Sequence, residues 1–291
     1  MDATLFFQLL INGIVLGAIY ALIAVGLSLI FGVLEIVNFA HGELYMIGGF
    51  AAWFGIGHLG MNYWTAIAFA IVMVGCVGWF LYDGLLSTLK EHDFQRGILL
   101  TMGIAMILQN GALYFFSATP KIVDTEYGFS SLIIGDLRVS VLRLLALGLA
   151  AVSILGCYLL LQHTRHGKSM RALAQNREAA FMVGIQPRNV ARLAVIIGAA
   201  LCGVAGAALA PVYSVHPLMG LSFVFKAFAI VIIGGLGNIP GAALAALLIG
   251  VMESFAGGLG STVLQDAIAF ILMILILIFR PLGLFGRGVR V

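Results

Sequence analysis

An unusual cluster of polar side chains near the membrane, between two apolar runs, consists of Glu35, Asn38, His41 and Glu43, with Gly42 to let the backbone turn. A histidine and two carboxylates are metal-ligand types, but their spacing does not match the His-Glu-x-x-His helix of zinc enzymes, so we expect no metal site. Two interpretations remain open for this cluster. It is either a loop that ends a helix or a gate or coupling element beside a pathway through the protein.

Two other stretches come close to nucleotide-binding motifs. Residues 167–169, Gly-Lys-Ser, match the end of a P-loop, but Gln162 stands where that motif requires its first glycine. The glycine-rich stretch 235–241 has the wrong spacing for a dinucleotide fingerprint and lies between two apolar runs, where a βαβ unit would be required. The sequence also contains no GxSxG motif. We therefore predict that the chain is not an enzyme and holds no cofactor of its own.

The composition shows which elements carry these residues. Hydrophobic residues make up 62% of the 291 residues and charged residues only 9%, whereas a soluble domain is about one quarter charged. A membrane-spanning helix needs about 20 apolar residues. The apolar runs are 5–33, 44–57, 62–82, 97–117, 141–162, 193–213, 221–233, 242–255 and 262–279. We predict an all-α, polytopic transmembrane helical bundle of about eight to nine membrane segments, forming one domain over residues 1–291, with interrupted helices near 34–43 and 234–241.

The distribution of cations predicts the orientation of this bundle. The connection 165–192 holds six of the fifteen Lys and Arg residues and one acid, Glu178. Cationic loops remain in the cytoplasm. The cations assigned to the inner face on this basis are Lys90, Arg96, Arg165, Lys168, Arg171, Arg177, Arg188, Arg192, Arg280, Arg287 and Arg290, against Lys121, Arg138 and Arg143 outside. The N-terminus is then outside and the C-terminus inside, provided that both short interrupted regions cross fully.

Several polar residues lie within the apolar runs. Gly13 and Gly17 form a GxxxG pair that predicts close helix packing, and lining of a pore by Asn12 or Tyr20 stays open beside it. Lys226 is expected to form an ion pair with Glu253 or Asp266, or to extend to the membrane surface, because a lone charge in a bilayer is costly. Direct contact of these charges with a solute is the alternative.

Gly235, Gly237 and Asn238 lie in the second interruption. They form either a plain turn at the inner face or a constriction of a pathway, because the glycines and Pro240 cannot continue a helix. Asn38 and Asn238 both stand in a polar break before an apolar run. Interrupted helices at corresponding places in two halves point to a transport site.

The basic connection contains one candidate helix. Nothing between residues 170 and 183 breaks a helix, and apolar positions alternate with charged ones, which favours a short amphipathic helix. Gly184 is expected to end it, and Pro187 to prevent its continuation. Such a helix lies on anionic lipid headgroups or inserts into a groove on another protein.

The same connection carries a resemblance to a known family. Glu178, Ala179 and Ala180, followed after three residues by Gly184, resemble the EAA signature of ABC importer permeases. Ala194 stands where the second half of that signature begins, so that half is missing. Longer stretches at 12–22, 32–43, 170–172, 177–185 and 234–238 are similar to the branched-chain amino acid type of these permeases. The run Asn-Phe-Ala-His-Gly at 38–42 is the most specific of them.

This resemblance implies a transmembrane permease subunit in a bacterial inner membrane, crossing it several times. It implies a second homologous, LivM-like permease, two cytosolic ATP-binding subunits that carry ATP and magnesium, and a periplasmic substrate-binding protein that delivers leucine, isoleucine or valine. Residues 163–192 are then a cytoplasmic coupling loop that docks on the ATPases. The residues that the resemblance assigns to docking are Glu178, Ala179, Ala180 and Gly184, flanked by Arg171 and Arg177.

Other functions stay open beside this one. Members of the same branch also carry urea, short amides and other amino acids, so the same machinery with another solute is one alternative. A stand-alone channel or a secondary transporter is another, and it would need no ATPase. The candidate pathway or gate residues are Asn12, Tyr20, Glu35, Asn38, His41, Gly42, Glu43, Gly235, Gly237 and Asn238.

Overall fold

A computed structural model describes residues 3–89, 94–135, 137–260 and 262–286. Its apolar runs are helical because in lipid a helix satisfies every backbone polar group within one segment. The helices are α1 Ala3–Leu34, α2 His41–Gly57, α3 Tyr63–Gly84, α4 Phe94–Phe116, α5 Val141–His163, α6 Arg165–Gln175, α7 Arg177–Met182, α8 Pro187–Leu209, α9 Met219–Gly234, α10 Ile239–Gly258 and α11 Thr262–Phe279, with a short 3-10 helix Leu86–Thr88 and strands β1 Ser131–Ile134 and β2 Leu137–Ser140. The two strands form an antiparallel hairpin between α4 and α5.

The predicted all-α membrane bundle is confirmed. Within the described residues, seven helices are long and apolar enough to cross a membrane: α1, α3, α4, α5, α8, α10 and α11. The other two expected segments, α2 and α9, are shorter, with 17 and 16 residues. Both predicted interruptions are present, since α1 ends before residue 35 and α2 begins at His41, and since α9 and α10 are separated by residues 235–238.

Contacts between distant segments define two faces of the bundle. We call the face that carries α6 and α7 the inner face. The α5 helix begins at the opposite, outer face, where Gln8 Nε2 of α1 donates to the carbonyl of Arg138 at 3.1 Å. At the inner face the amide of Asn238 donates to the carbonyl of Phe285 at 2.6 Å. The described part of the chain therefore starts at the outer face and ends at the inner face. That the inner face is cytoplasmic stays a prediction from the cation count, and Lys90, Arg287 and Arg290 lie outside the described residues.

The helices α1–α3 and α8–α10 are related as two inverted halves. A β-carbon at Gly26 of α1 would lie 2.9 Å from the carbonyl oxygen of Gly198 of α8, and the reverse distance is also 2.9 Å. Gly42 of α2 and Gly220 of α9 approach each other in the same reciprocal way. In addition, α1 packs against α10 and α3 packs against α8. An axis in the membrane plane would exchange these elements, as in many transporters.

This arrangement corrects one expectation from the sequence. The break between α1 and α2 corresponds to residues 210–218, between α8 and α9, and not to residues 235–238. Asn38 and Asn238 do share a local role, because each side-chain oxygen accepts from a backbone N–H, that of Ala40 at 3.1 Å and that of Gly241 at 3.0 Å. Such asparagine bonds are common in turns, so this similarity reports local chemistry rather than an internal repeat.

The core is centred on α1. In the most apolar window of α1, 83% of the residues are buried, against 6% for α11, so α1 is surrounded by protein and α11 faces outward. Glycines stand where helices cross, because only a residue without a side chain allows such close approach. Gly13 and Gly17 illustrate this, since β-carbons there would lie 2.6 Å from Val251 Cα and 2.8 Å from Leu247 Cα of α10. The close packing predicted for this GxxxG pair is therefore present.

Candidate functional site

The polar cluster of the first interruption extends from the inner face into the bundle. His41 Nε2 lies 3.0 Å from the carbonyl oxygen of Ile23, a residue three turns before the inner end of α1. With a rise of about 1.5 Å per residue, this contact is about 16 Å from that end. The segment 35–40 therefore runs back along α1, and α2 begins inside the protein. A plain loop at the inner surface does not describe residues 38–43.

The members of the cluster lie in different surroundings. Glu35 is exposed and has a positive φ of 56°, which is uncommon for a residue with a side chain. Asn38, His41 and Glu43 are buried, with at most 3% exposure. The structure thus separates Glu35, at the inner end of α1, from the three buried polar residues. We call the set Asn38, His41, Gly42, Glu43 and Gly220 the interior junction.

The interior junction joins helices from both halves of the chain. Gly42 packs against Gly220 and Val224 of α9, and the ring of Phe39 lies 4.9 Å from that of Phe228 of the same helix. On the other side, His41 Nε2 lies 3.1 Å from Cys202 Sγ of α8. Cys202 is not among the residues that the sequence alone singles out. Its position beside His41 depends on the packing of α2 on α8.

The carboxyl group of Glu43 is incompletely satisfied. Its Oε2 atom is buried and has no hydrogen-bond partner among the described residues, and the same holds for Nδ1 of His41 and Oγ of Ser28. A β-carbon at Gly220 would lie 2.9 Å from that Oε2 atom. A buried polar group without a partner costs about 1–3 kcal/mol. A different helix arrangement that gives Glu43 a partner would recover this energy.

A second polar network lies nearer the outer face. Lys226 Nζ of α9 lies 3.1 Å from Glu253 Oε2 of α10 and 3.2 Å from Asp266 Oδ1 of α11. The hydroxyl of Tyr20 donates to the same Glu253 oxygen at 2.7 Å and lies 3.2 Å from Lys226 Nζ. The predicted ion pair is confirmed, and it involves both acids. Tyr20 is part of this network and is 4% exposed.

Asn12 lies at the outer end of α1 beside a cavity of about 220 Å³. Its Oδ1 atom accepts a hydrogen bond of 2.5 Å from Arg143 of α5. Sequence reasoning singled out Asn12 but left Arg143 as an ordinary outer cation. The two residues are separated by 131 positions, so only the folded chain brings them together.

The second interruption is a turn at the inner face. Gly235 and Gly237 have φ values of 98° and 75°, which glycine adopts readily. Asn238 caps the N-terminus of α10 through the bond to Gly241 and also contacts Phe285. The structure therefore supports the plain turn of the two interpretations. It does not bring these residues together with His41 or Glu43.

The basic connection forms two helices rather than the single helix predicted over 170–183. Asn176 has extended backbone angles, and its Oδ1 atom accepts from the N–H of Ala179 at 2.9 Å. Asparagine favours such N-caps over helix interiors, which explains the break between α6 and α7. Gly184, with a φ of 85°, follows the end of α7 as predicted. Pro187 begins α8, a position that suits proline.

The two helices differ in exposure. Met170 and Leu173 anchor α6 in the bundle, with 1% and 4% exposure. By contrast, the apolar side chains of Phe181, Met182 and Val183, at the end of α7 and just after it, are 68% to 80% exposed. We call these three residues the apolar tip. Of the residues assigned to docking, Arg177, Glu178, Ala179 and Gly184 are exposed, whereas Ala180 is buried. Arg171 bonds to Gln162 of α5 instead of extending outward.

The connection is also tied to neighbouring spans. Arg192 and Arg188, in the first turns of α8, lie 3.4 Å and 3.7 Å from the carboxylate of Asp83 at the end of α3. Together with the bond between Arg171 and Gln162, these contacts link the connection to α3 and α5.

Comparisons of the sequence with known proteins identify a family. Residues 9–277 match the family model described as branched-chain amino acid transport system, permease component. The chain is 32% identical to the high-affinity branched-chain amino acid transport system permease protein BraD of Pseudomonas aeruginosa and 30% identical to LivH of Escherichia coli, in each case over 97% of this chain and 96% of the relative. It is 27% identical to LivM of Escherichia coli, over 91% of this chain and 67% of that protein. No solved structure matches.

Proposed function

Because this chain belongs to the family of branched-chain amino acid transport system permease components, we propose that it is the membrane-spanning permease subunit of an ATP-driven importer for leucine, isoleucine and valine. The observation that carries this proposal is the similarity to BraD and LivH along nearly the whole chain. The same importer moving urea, short amides or other amino acids is the alternative on the side of the solute.

The energy for transport comes from partner subunits in this proposal. The sequence contains no complete nucleotide-binding motif. The apolar tip stands on a charged inner connection, where exposed apolar side chains mark a protein contact. We assign it, together with Glu178 and Gly184, to a groove on a cytosolic ATPase. Two such ATPases, holding ATP and magnesium, complete the inner side of the importer.

The outer side and the membrane plane hold the remaining partners. The similarity to LivM as well as to LivH supports a second, homologous permease beside this one. A periplasmic substrate-binding protein delivers the solute to the outer face. The assembly is assigned to the bacterial inner membrane.

Transport follows from alternating access of the permease pair. ATP binding moves the ATPases, α7 follows them, and the ties through Arg192 and Asp83 pass the movement to α3 and α8. The interior junction is the proposed gate, because α2 and α9 meet there through glycines beside the unsatisfied carboxyl group of Glu43. A ligand shifts such an equilibrium only by its different affinity for the two states, so the binding protein carries most of the solute specificity.

Co-purification in mild detergent tests the assembly. A tagged chain from its native host is expected to bring a second permease and two ATPases. Replacing Phe181 and Met182 by Ser should remove the ATPases, while Ile133→Ser, on the exposed outer hairpin, should retain them. Recovery of the chain without any ATPase would contradict the proposal.

Reconstitution in vesicles tests the energy source. Complete importer with ATP and binding protein should accumulate L-leucine, and Glu178→Ala or Gly184→Leu should separate ATP hydrolysis from uptake without removing the chain from the membrane. Solute movement at full rate by this chain alone would instead indicate a channel or a secondary transporter.

A further inference from the structure

The outer cavity combines one cation with aliphatic walls. It lies between the outer ends of α1, α5, α10 and α11 and the segment that follows α8. Its polar lining consists of Asn12, Arg143, Tyr213, Ser254 and Gln265, and the other residues are aliphatic apart from Gly257. A volume of about 220 Å³ suits a single molecule of amino-acid size and is smaller than the pockets of drug-sized ligands, about 300–1,000 Å³.

The guanidinium group of Arg143 has donors to spare. Arginine carries five N–H donors, and within the described part of the chain one of them is in use, in the bond from Nη1 to Asn12 Oδ1. Over residues 3–89, 94–135, 137–260 and 262–286, no acid forms an ion pair with Arg143, whereas Lys226 and Arg192 each have a carboxylate partner. A guanidinium beside a cavity is suited to bind a carboxylate through two parallel hydrogen bonds.

The remaining lining determines what else the ligand carries. Among the residues that the structure describes, no carboxylate lines the cavity, so a purely cationic solute would find no opposite charge there. The amide oxygen of Gln265 and the hydroxyl of Tyr213 are acceptors of the kind that an ammonium group uses. The hydroxyl of Ser254 already donates to the carbonyl of Leu9 at 2.7 Å. Leu16, Ile19 and Leu209 supply a wall for a branched aliphatic side chain.

We infer that this cavity is an outer binding site of the permease for an aliphatic amino acid, in which Arg143, held by Asn12, binds the α-carboxylate. The inference rests on the proposed import of amino acids and names the group that recognises them. It also separates the two solute classes, because neutral urea and short amides have no carboxylate for Arg143.

Uptake by the complete reconstituted importer gives the first test. Arg143→Gln should raise the KM for L-leucine about tenfold or more, since a hydrogen-bonded charge is lost. Arg143→Lys keeps the charge and should raise the KM less. Arg138→Gln is the matched control, because it removes an exposed outer cation that does not line the cavity. Equal effects of both Gln variants would indicate docking of the binding protein and would overturn the site. Failure of the unaltered importer to accumulate any amino acid would instead refute the proposed function.

A binding measurement without the binding protein gives the second test. Val212→Cys, introduced with the native cysteines replaced, places a thiol at the cavity for reaction with a water-soluble maleimide, in the ATP-free complex in nanodiscs. L-leucine should slow this reaction, 3-methylbutylamine, which lacks the carboxylate, should not, and Arg143→Gln should abolish the protection. Equal protection by the amine would overturn the assignment. If anionic lipid in the nanodisc protects the thiol and added L-leucine does not change that protection, the cavity is a lipid headgroup site. That result would overturn the assignment as well.

Discussion

The ammonium group of Lys226 lies 3.1 Å from Oε2 of Glu253, and the glutamate side chain is completely buried. Tyr20 donates to the same oxygen at 2.7 Å, so one carboxylate joins α1, α9 and α10. These helices belong to both inverted halves of the chain. The ion pair of Lys226 and Glu253, together with Tyr20, therefore holds the two halves together on the outer side of the interior junction.

Removal of Lys226 should destabilise the permease strongly. Lys226→Met leaves Glu253 buried without its opposite charge, which costs about 3–5 kcal/mol. Asp266→Asn should change stability by less than about 1 kcal/mol, because Asp266 is 79% exposed. The stability of both variants is measured by unfolding them in detergent while the helical circular dichroism signal is monitored. The double variant Lys226→Met, Glu253→Gln should recover part of the stability that Lys226→Met loses. Equal losses of stability for Lys226→Met and Asp266→Asn would contradict this assignment.

The approach of α2 and α9 should not tolerate a side chain at Gly42. A β-carbon there would lie 2.7 Å from Val224 Cβ and in contact with the carbonyl of Gly220. Gly42→Ala should therefore cost about 1–3 kcal/mol through overpacking. Gly57→Ala, at the other end of α2, is the control, since no described residue beyond its own turn of helix has an atom within 4 Å of the added carbon. The fraction of monodisperse protein after heating should fall for the first variant only.

Cys202 should report on opening of the proposed gate at the interior junction. Its side chain is 0% exposed, so a water-soluble maleimide should not react with it in the ATP-free complex. During ATP turnover with binding protein and L-leucine, the reaction should accelerate, because the proposed gate opens beside His41. The experiment uses a chain with Cys76→Ser and Cys157→Ala, and Cys202→Ser as the blank. A rate that is the same with and without turnover would exclude this junction from the pathway.

The N-cap of α7 should matter for coupling. Asn176→Ala removes the bond to the Ala179 N–H and should destabilise α7 by about 1 kcal/mol, whereas Asn176→Asp should retain the cap. We expect less L-leucine imported per ATP hydrolysed for the alanine variant. Asn62→Ala removes an equivalent cap from α3 at the outer face and should leave that ratio unchanged. A similar decrease for both variants would mean that the effect is general destabilisation.

Much of the architecture was predictable from local patterns. Long apolar runs, the two interruptions and the ion pair of Lys226 all followed from composition and charge, and the family resemblance is confirmed by the match over residues 9–277. The cytoplasmic side of the basic connection stays a prediction. The break at Asn176 was missed because apolar positions continue past it, although asparagine is a frequent N-cap. The docking role of Glu178 and Gly184 remains a prediction.

The sequence by itself determined that the chain is a helical membrane bundle with a cationic inner connection, because hydrophobic length and charge act on each segment separately. Tertiary structure decided which polar groups meet. Arg143 reaches Asn12 across 131 positions, His41 lies beside Cys202, and the inverted halves interlock through Gly42 and Gly220. These pairings depend on how helices cross, and crossing depends on the shape of whole surfaces. The residues around one position do not contain that information.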